Sequence, residues 1–167
     1  MALRPFPFLP ALAFLATLMG GGAMAAEPPG VAIIDFTYSD SSGEPRDQTA
    51  EHQARLKAFM AALATDLAAG GGLRVVTPHC DPAPCTLTAG AVPELAEAAK
   101  QAGADLLVVG GIHKMSTLVQ MAKVEVVAAK AGRVVFQKLY TFRGDNDEAW
   151  RRAESFIAGQ ILTVPQD

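Results

Sequence analysis

Residues 31–36 read Val-Ala-Ile-Ile-Asp-Phe. This nearly unbroken apolar run, rich in branched side chains, suits a strand covered on both faces better than an edge strand. The next apolar run in that style is residues 104–112, Ala-Asp-Leu-Leu-Val-Val-Gly-Gly-Ile, and two helical patterns lie between them. In the first, Leu56, Met60, Leu63 and Leu67 recur at helical spacing with Phe59 alongside, and Gly70, Gly71 and Gly72 end it. A short strand over residues 73–77 follows. In the second helix Pro93 stands where a first turn accepts it, Leu95, Ala98, Ala99 and Ala102 form a small-residue stripe, and Gly103 is placed as a left-handed cap. Two strand–helix–strand passes at this spacing predict parallel strands.

The pattern changes beyond Ser116. Residues 122–126 alternate apolar and charged, with Lys123 and Glu125 on one face, as in a half-exposed antiparallel strand. Ala131 and Gly132 supply a turn, and Val134, Phe136, Tyr140 and Phe142 form the apolar phase of an answering strand, broken by Lys138. Asp145 and Glu148 are spaced as a capping box before a closing helix whose buried stripe is Trp150, Ala153, Ile157 and Ile161. The prediction is β-α-β-α-β-β-β-α: an α/β chain with a mixed parallel and antiparallel sheet covered by helices. Residues 39–47 read as a solvated loop.

Residues 1–25 read as a cleavable export signal. Arg4 supplies the positive charge, residues 6–19 are apolar apart from Thr17, and Ala23-Met24-Ala25 is a small-x-small cleavage pattern. The apolar run is short of the ~20 residues a membrane span needs, and no cysteine stands at the cleavage site to accept a lipid. Residues 26–167 are then expected as one globular domain, periplasmic or secreted, with no membrane anchor after cleavage. Arg4 is one of 14 Lys and Arg, which leaves 13 cations against 17 acids in that domain. The charges are interspersed, and no basic block offers the counterion-releasing surface that nucleic-acid binding needs.

The segments VAIIDF, AGADLLVVGGI, the hairpin and GDNDEAWRR resemble an uncharacterised family of small exported bacterial proteins, a domain of unknown function, over most of residues 26–167. More loosely, the order of elements resembles the amino-terminal domain of the Tol translocation β-propeller protein and the periplasmic domain of curli-secretion lipoproteins. Those relatives imply a role in envelope assembly through protein partners rather than catalysis. This sequence has neither propeller repeats nor the lipidated cysteine of the lipoproteins.

Cys80 and Cys85 lie in a Pro-rich loop, and an oxidising compartment makes them a disulfide pair. Their four intervening residues fit thiol oxidoreductase chemistry poorly, since that usually draws on C-x-x-C at a helix start. A metal carrier for copper or zinc is the alternative, using His79, Cys80, Cys85 and His113, with Met115 nearby. Asp35, near the end of the first strand, and Asp40, in the loop beyond it, are candidate ligand-binding residues, because open parallel sheets place ligands at carboxyl ends of strands. A hydrolase reading rests on Asp35 and the Ser-rich loop alone. There is no G-x-S-x-G elbow, and neither Gly70–Gly72 nor Gly110-Gly111 completes a phosphate loop. Asp145, Asn146, Asp147 and Glu148 lack EF-hand spacing, His52 reads as a packing residue, and Arg151 and Arg152 as a solvated face. No catalytic residue and no cofactor are assigned. The function expected is that of a non-catalytic accessory or binding protein with an envelope protein partner.

Overall fold

The computed structural model describes residues 27–165 except 71, 82–83 and 88–90. The expected signal, residues 1–25, lies outside the described residues. In chain order the elements are β1 (Gly30–Ile33), β2 (Thr37–Asp40), α1 (Thr49–Gly70), β3 (Arg74–Val76), α2 (Val92–Gln101), β4 (Leu106–Lys114), β5 (Val119–Ala128), β6 (Arg133–Arg143) and α3 (Asp147–Ile161). They form one mixed sheet in the order β3-β1-β4-β5-β6, with β2 pairing β4 in line with β1. β1, β2 and β3 are parallel to their neighbours, and β4, β5 and β6 are antiparallel. The mixed α/β architecture read from the sequence is the one observed, with β2 added.

That addition corrects the expected loop over residues 39–47, because Ser39 and Asp40 belong to β2. Ile33 pairs with Val108 and Thr37 with Gly111. Residues 34–36 therefore face only residues 109–110, which is a bulge, and one extra residue reverses the side-chain phase. Val31 and Ile33 pack with α1 and α3 on one face, Ala32 and Ile34 with α2 on the other, and beyond the bulge Phe36 and Tyr38 return to the α1/α3 side. Asp35 is exposed as a result. Gly110 makes room for this arrangement, since a Cβ there would stand 2.7 Å from the Phe36 ring.

A second shift, between Val126 and Val127, acts on the hairpin. Val126 pairs with Phe136 but Val127 with Val134, so Phe136, Tyr140 and Phe142 pack on the core while Val134 is exposed. The hairpin turn is where the sequence placed it, with Gly132 at φ 62°. Gly103, at φ 80°, is the left-handed residue after α2.

Two cores lie on opposite sides of the sheet. The larger joins α1 and α3 to the sheet through Phe59, Leu63, Leu67, Trp150, Ile157 and Ile161. The smaller sets Leu95, Ala96 and Ala99 of α2 against Ala32, Ile34, Leu107 and Val109. On α1 the deepest residues are His52, Phe59, Leu63 and Leu67, while Leu56 and Met60 are half-buried. The capping box expected at α3 does not form. Asn146 is the N-cap, accepting from the Ala149 amide at 2.9 Å, and Glu148 pairs with Arg152 instead. Asp145 is withheld from capping because buried cations hold its carboxylate.

Candidate functional site

The carboxyl ends of β2 and β4, the start of α1 and the β6–α3 connection meet in a buried ionic cluster. Residues 106, 108, 112 and 114 of β4 all face the α1/α3 side, and the last of them is Lys114, 0% exposed. Its ammonium donates to Asp145 Oδ2 at 2.8 Å and to the side-chain oxygens of Glu44 and Gln48, with Asp40 4.0 Å away. Asp145 also accepts from His52 Nε2 at 2.9 and 3.0 Å and from Arg55 Nη1 at 2.8 Å. Arg55 reaches Asp147 as well, at 2.9 Å. The His52 ring stacks on Tyr38 with centroids 4.8 Å apart.

Burial opposes the charge on Lys114, but its hydrogen bonds to Asp145 and Glu44 outweigh it and hold its pKa above the ordinary lysine value. Asp145 is the mirror case: burial pushes its pKa up, and its bonds with Lys114 and His52 bring it below the usual carboxylate range. Tyr38 is raised by burial first, then by the nearby Asp40 and Asp145. A lysine held charged, with three oxygens for its three N–H groups, is neither a base nor a nucleophile. The cluster joins four chain segments and has the chemistry of a clasp.

Asp35 and Asp40 fall at opposite ends of β2 and make no common site. Asp35 lies at the bulge, where its backbone bridges to Thr86. Asp40 is at the cluster's rim, with Oδ1 accepting from the Ser42 amide at 2.7 Å. Burial raises its pKa, and Ser42 and Lys114 more than reverse this. Cys80 and Cys85 form a disulfide, with Cα atoms 5.2 Å apart. His113 points away from Lys114 and lies between Ser39 Oγ, 2.7 Å from Nδ1, and Ser41 Oγ, 2.9 Å from Nε2. Both imidazole nitrogens thus meet hydroxyls, with no carboxylate to orient the ring as a general base. Among the described residues no three His, Cys, Asp or Glu side chains are grouped to hold a metal ion, so His79, Cys80, Cys85 and His113 are not assembled as a ligand set.

Sequence reasoning missed Lys114, Glu44, Gln48 and Arg55, and it placed Asp145 at a helix cap. One signal was present: Lys114 occupies the inward phase of an otherwise apolar strand, where a buried ammonium needs acids from elsewhere. Glu154 was missed as well. It sits on the inward face of α3, 1% exposed, with Oε1 unpaired, and one turn away the buried Trp150 Nε1 is also unpaired. Burial, reinforced by Asp66 and opposed by Arg151, pushes the Glu154 pKa up to about 7.

No curated protein matches the chain. Among solved structures, it is similar to the hypothetical protein CT253 from Chlamydia trachomatis at 16% identity and TM-score 0.53, over 81% of this chain and 97% of that one. It is also similar to lipoprotein GNA1162 from Neisseria meningitidis, at 14% identity and TM-score 0.51, over 81% and 98%. TolB from Acinetobacter baumannii aligns at 16% identity and TM-score 0.47, over 81% of this chain but 28% of that one. Identities this low speak to fold alone. The family resemblance rests on firmer ground: a family described as "Protein of unknown function (DUF2380)" matches residues 29–162. With that match spanning every strand and helix and the whole ionic cluster, the chain belongs to the DUF3280 family.

Proposed function

We propose that this protein is a non-catalytic binding domain of the bacterial envelope that engages a protein partner along the free edge of β6. The observation that carries the reading is the strand itself. β6 runs eleven residues, Arg133–Arg143, at the end of the sheet order, and pairs with β5 alone among the described residues. The opposite edge, β3, has only three residues. An edge of that length presents a row of backbone donors and acceptors to which an extended segment can add as another strand. Beside it Leu139 is 59% exposed and Phe156 58%, with Phe156 edge-on to Tyr140 at 5.7 Å. These side chains would give an added strand apolar contacts as well as backbone bonds. The saturated cluster at the other end of the core supports the non-catalytic part of the reading.

The envelope placement rests on the export signal read in residues 1–25 and on the fold shared with a Neisseria lipoprotein. No helix among the described residues is long and apolar enough to cross a membrane.

A photo-crosslinking residue at position 139, in protein expressed in the native host, should yield a discrete higher-mass adduct. The same residue at position 57, on the exposed side of α1, should not. Leu139→Glu should lower recovery of that adduct's partner about tenfold, since a charge at an edge opposes strand addition, without lowering thermal stability. Equal adducts from both positions, or none from position 139, would refute the edge as the binding surface.

A further inference from the structure

A cleft of about 570 Å³ runs between α1 and α3. On the α1 side Ala54, Ala58 and Ala62, one residue per turn, line it, leaving a trough beside the Phe59–Trp150 contact that joins the two helices. Phe59 and Trp150 supply an aromatic floor. Small residues alone would mark only loose helix packing. Two of the lining residues also carry buried polar atoms without partners. Trp150 is 2% exposed and Glu154 1%, both line the cleft, and Trp150 Nε1 and Glu154 Oε1 have no hydrogen-bond partner. Native proteins pair nearly all such atoms, so two orphans one helical turn apart in a single cleft call for an explanation.

The indole N–H is a donor only, whereas a protonated carboxyl both donates and accepts. The unpaired atoms are Trp150 Nε1, which needs an acceptor, and Glu154 Oε1, which needs a donor when the carboxyl proton sits on the other oxygen, so the matching ligand group offers the two side by side. A carboxamide does both, its carbonyl oxygen having lone pairs for two donors and its N–H serving the carboxyl. A ligand carboxylate would lack the donor, and a ketone would lack it too. The volume falls in the range of small-molecule sites, and the Ala and aromatic walls suit an apolar body, while Glu51, Arg55, Asp147 and Arg151 also line the cleft.

We propose that the α1/α3 cleft binds a small molecule bearing a carboxamide on an apolar body, its carbonyl accepting from Trp150 Nε1 and its N–H donating to the Glu154 carboxyl. In the described conformation neither orphaned atom is open to water. Entry therefore shifts both the Glu154 and the Trp150 side chains toward the cleft, and the ligand favours that arrangement because only then are both atoms paired. The site lies between the two helices and does not depend on a protein partner.

Trp150 is the sole tryptophan of the chain, so its fluorescence reports the cleft directly. Titration of the purified protein with benzamide, at mildly acidic pH, should shift its emission saturably, with a Kd on the order of millimolar for so small a probe. Acetophenone, of the same shape without N–H groups, should bind at least tenfold more weakly. Glu154→Leu should abolish that preference, and Ala58→Phe, which fills the trough from an exposed helix position, should block both probes while far-UV circular dichroism stays unchanged. Equal binding of the two probes, an absent saturable shift, or a preference that survives in Glu154→Leu would each overturn the proposal. If Glu154→Leu does not fold, Glu154→Gln decides. Its amide keeps a donor and an acceptor and should retain the preference, and equal binding of the two probes to it would refute the amide assignment.

Discussion

Two buried polar regions share the α1/α3 side of the sheet and behave in opposite ways. In the clasp, Lys114 and Asp145 lose water but gain a full set of partners. In the cleft, Glu154 and Trp150 lose water and keep unpaired atoms. The difference shows in proton affinity: Asp145 is shifted down and Glu154 up, although burial pushes both up. Burial by itself therefore does not separate structure from function. Pairing turns desolvation into a rigid joint, whereas an unpaired atom beside a cleft is one that a ligand can complete.

The sharpest way to break the comparison is to empty the clasp. Asp145→Ala leaves Lys114 and Arg55 without their shared carboxylate, and breaking a buried ion pair from one side costs about 3–5 kcal/mol. Urea unfolding at neutral pH should show a loss of that size, and a loss below about 1 kcal/mol would mean that Glu44 and Gln48 suffice for Lys114.

The cleft should respond in the opposite direction. The folded-state pKa of Glu154 is raised from 4.5 to about 7, so the native state holds a proton that the unfolded chain has released. Stability then falls as pH rises through that window, by up to about 3 kcal/mol, and stays reduced above it. Glu154→Gln should relieve much of this at alkaline pH and little of it in acid, raising the thermal midpoint by several degrees only in the alkaline scan. For Asp145 the sign is reversed: its contribution is present above the ordinary carboxylate pKa and is lost as pH falls through the depressed value. Wild-type stability should accordingly peak at about pH 4–5; a peak in alkali would contradict the Glu154 assignment, and no loss on acidification below that window would contradict the Asp145 assignment.

The smallest effect belongs to the disulfide on the opposite face of the sheet, which serves as a control. The bridge closes a short loop, Cys80 to Cys85, so Cys85→Ser should lose about 2 kcal/mol. That loss should not vary between acid and neutral pH, as neither cysteine titrates while bridged.

Much of the fold was legible because periodicity reports burial one element at a time. The apolar runs at residues 31–36 and 104–112 became the central parallel strands, and Gly103 and Gly132 took the positive φ angles that their turns require. Register was not legible. The bulge at residues 34–36 leaves no mark in composition, yet it exposes Asp35, carries Ser39 and Asp40 into β2, and brings Tyr38 over His52. The capping box failed for a related reason: Asp145 and Asn146 both suit a helix start, and which one caps depends on a lysine thirty-one residues earlier in the chain.

From the sequence alone follow the order of elements apart from β2, the mixed sheet, the cysteine pair and the family, since each rests on spacing within a segment or on motifs carried whole. Tertiary structure alone decided where the charges go. An isolated lysine, aspartate or glutamate is indistinguishable from a solvated one until the chain brings its partners to it, and here the same fold satisfied Lys114 completely and left Glu154 Oε1 unpaired.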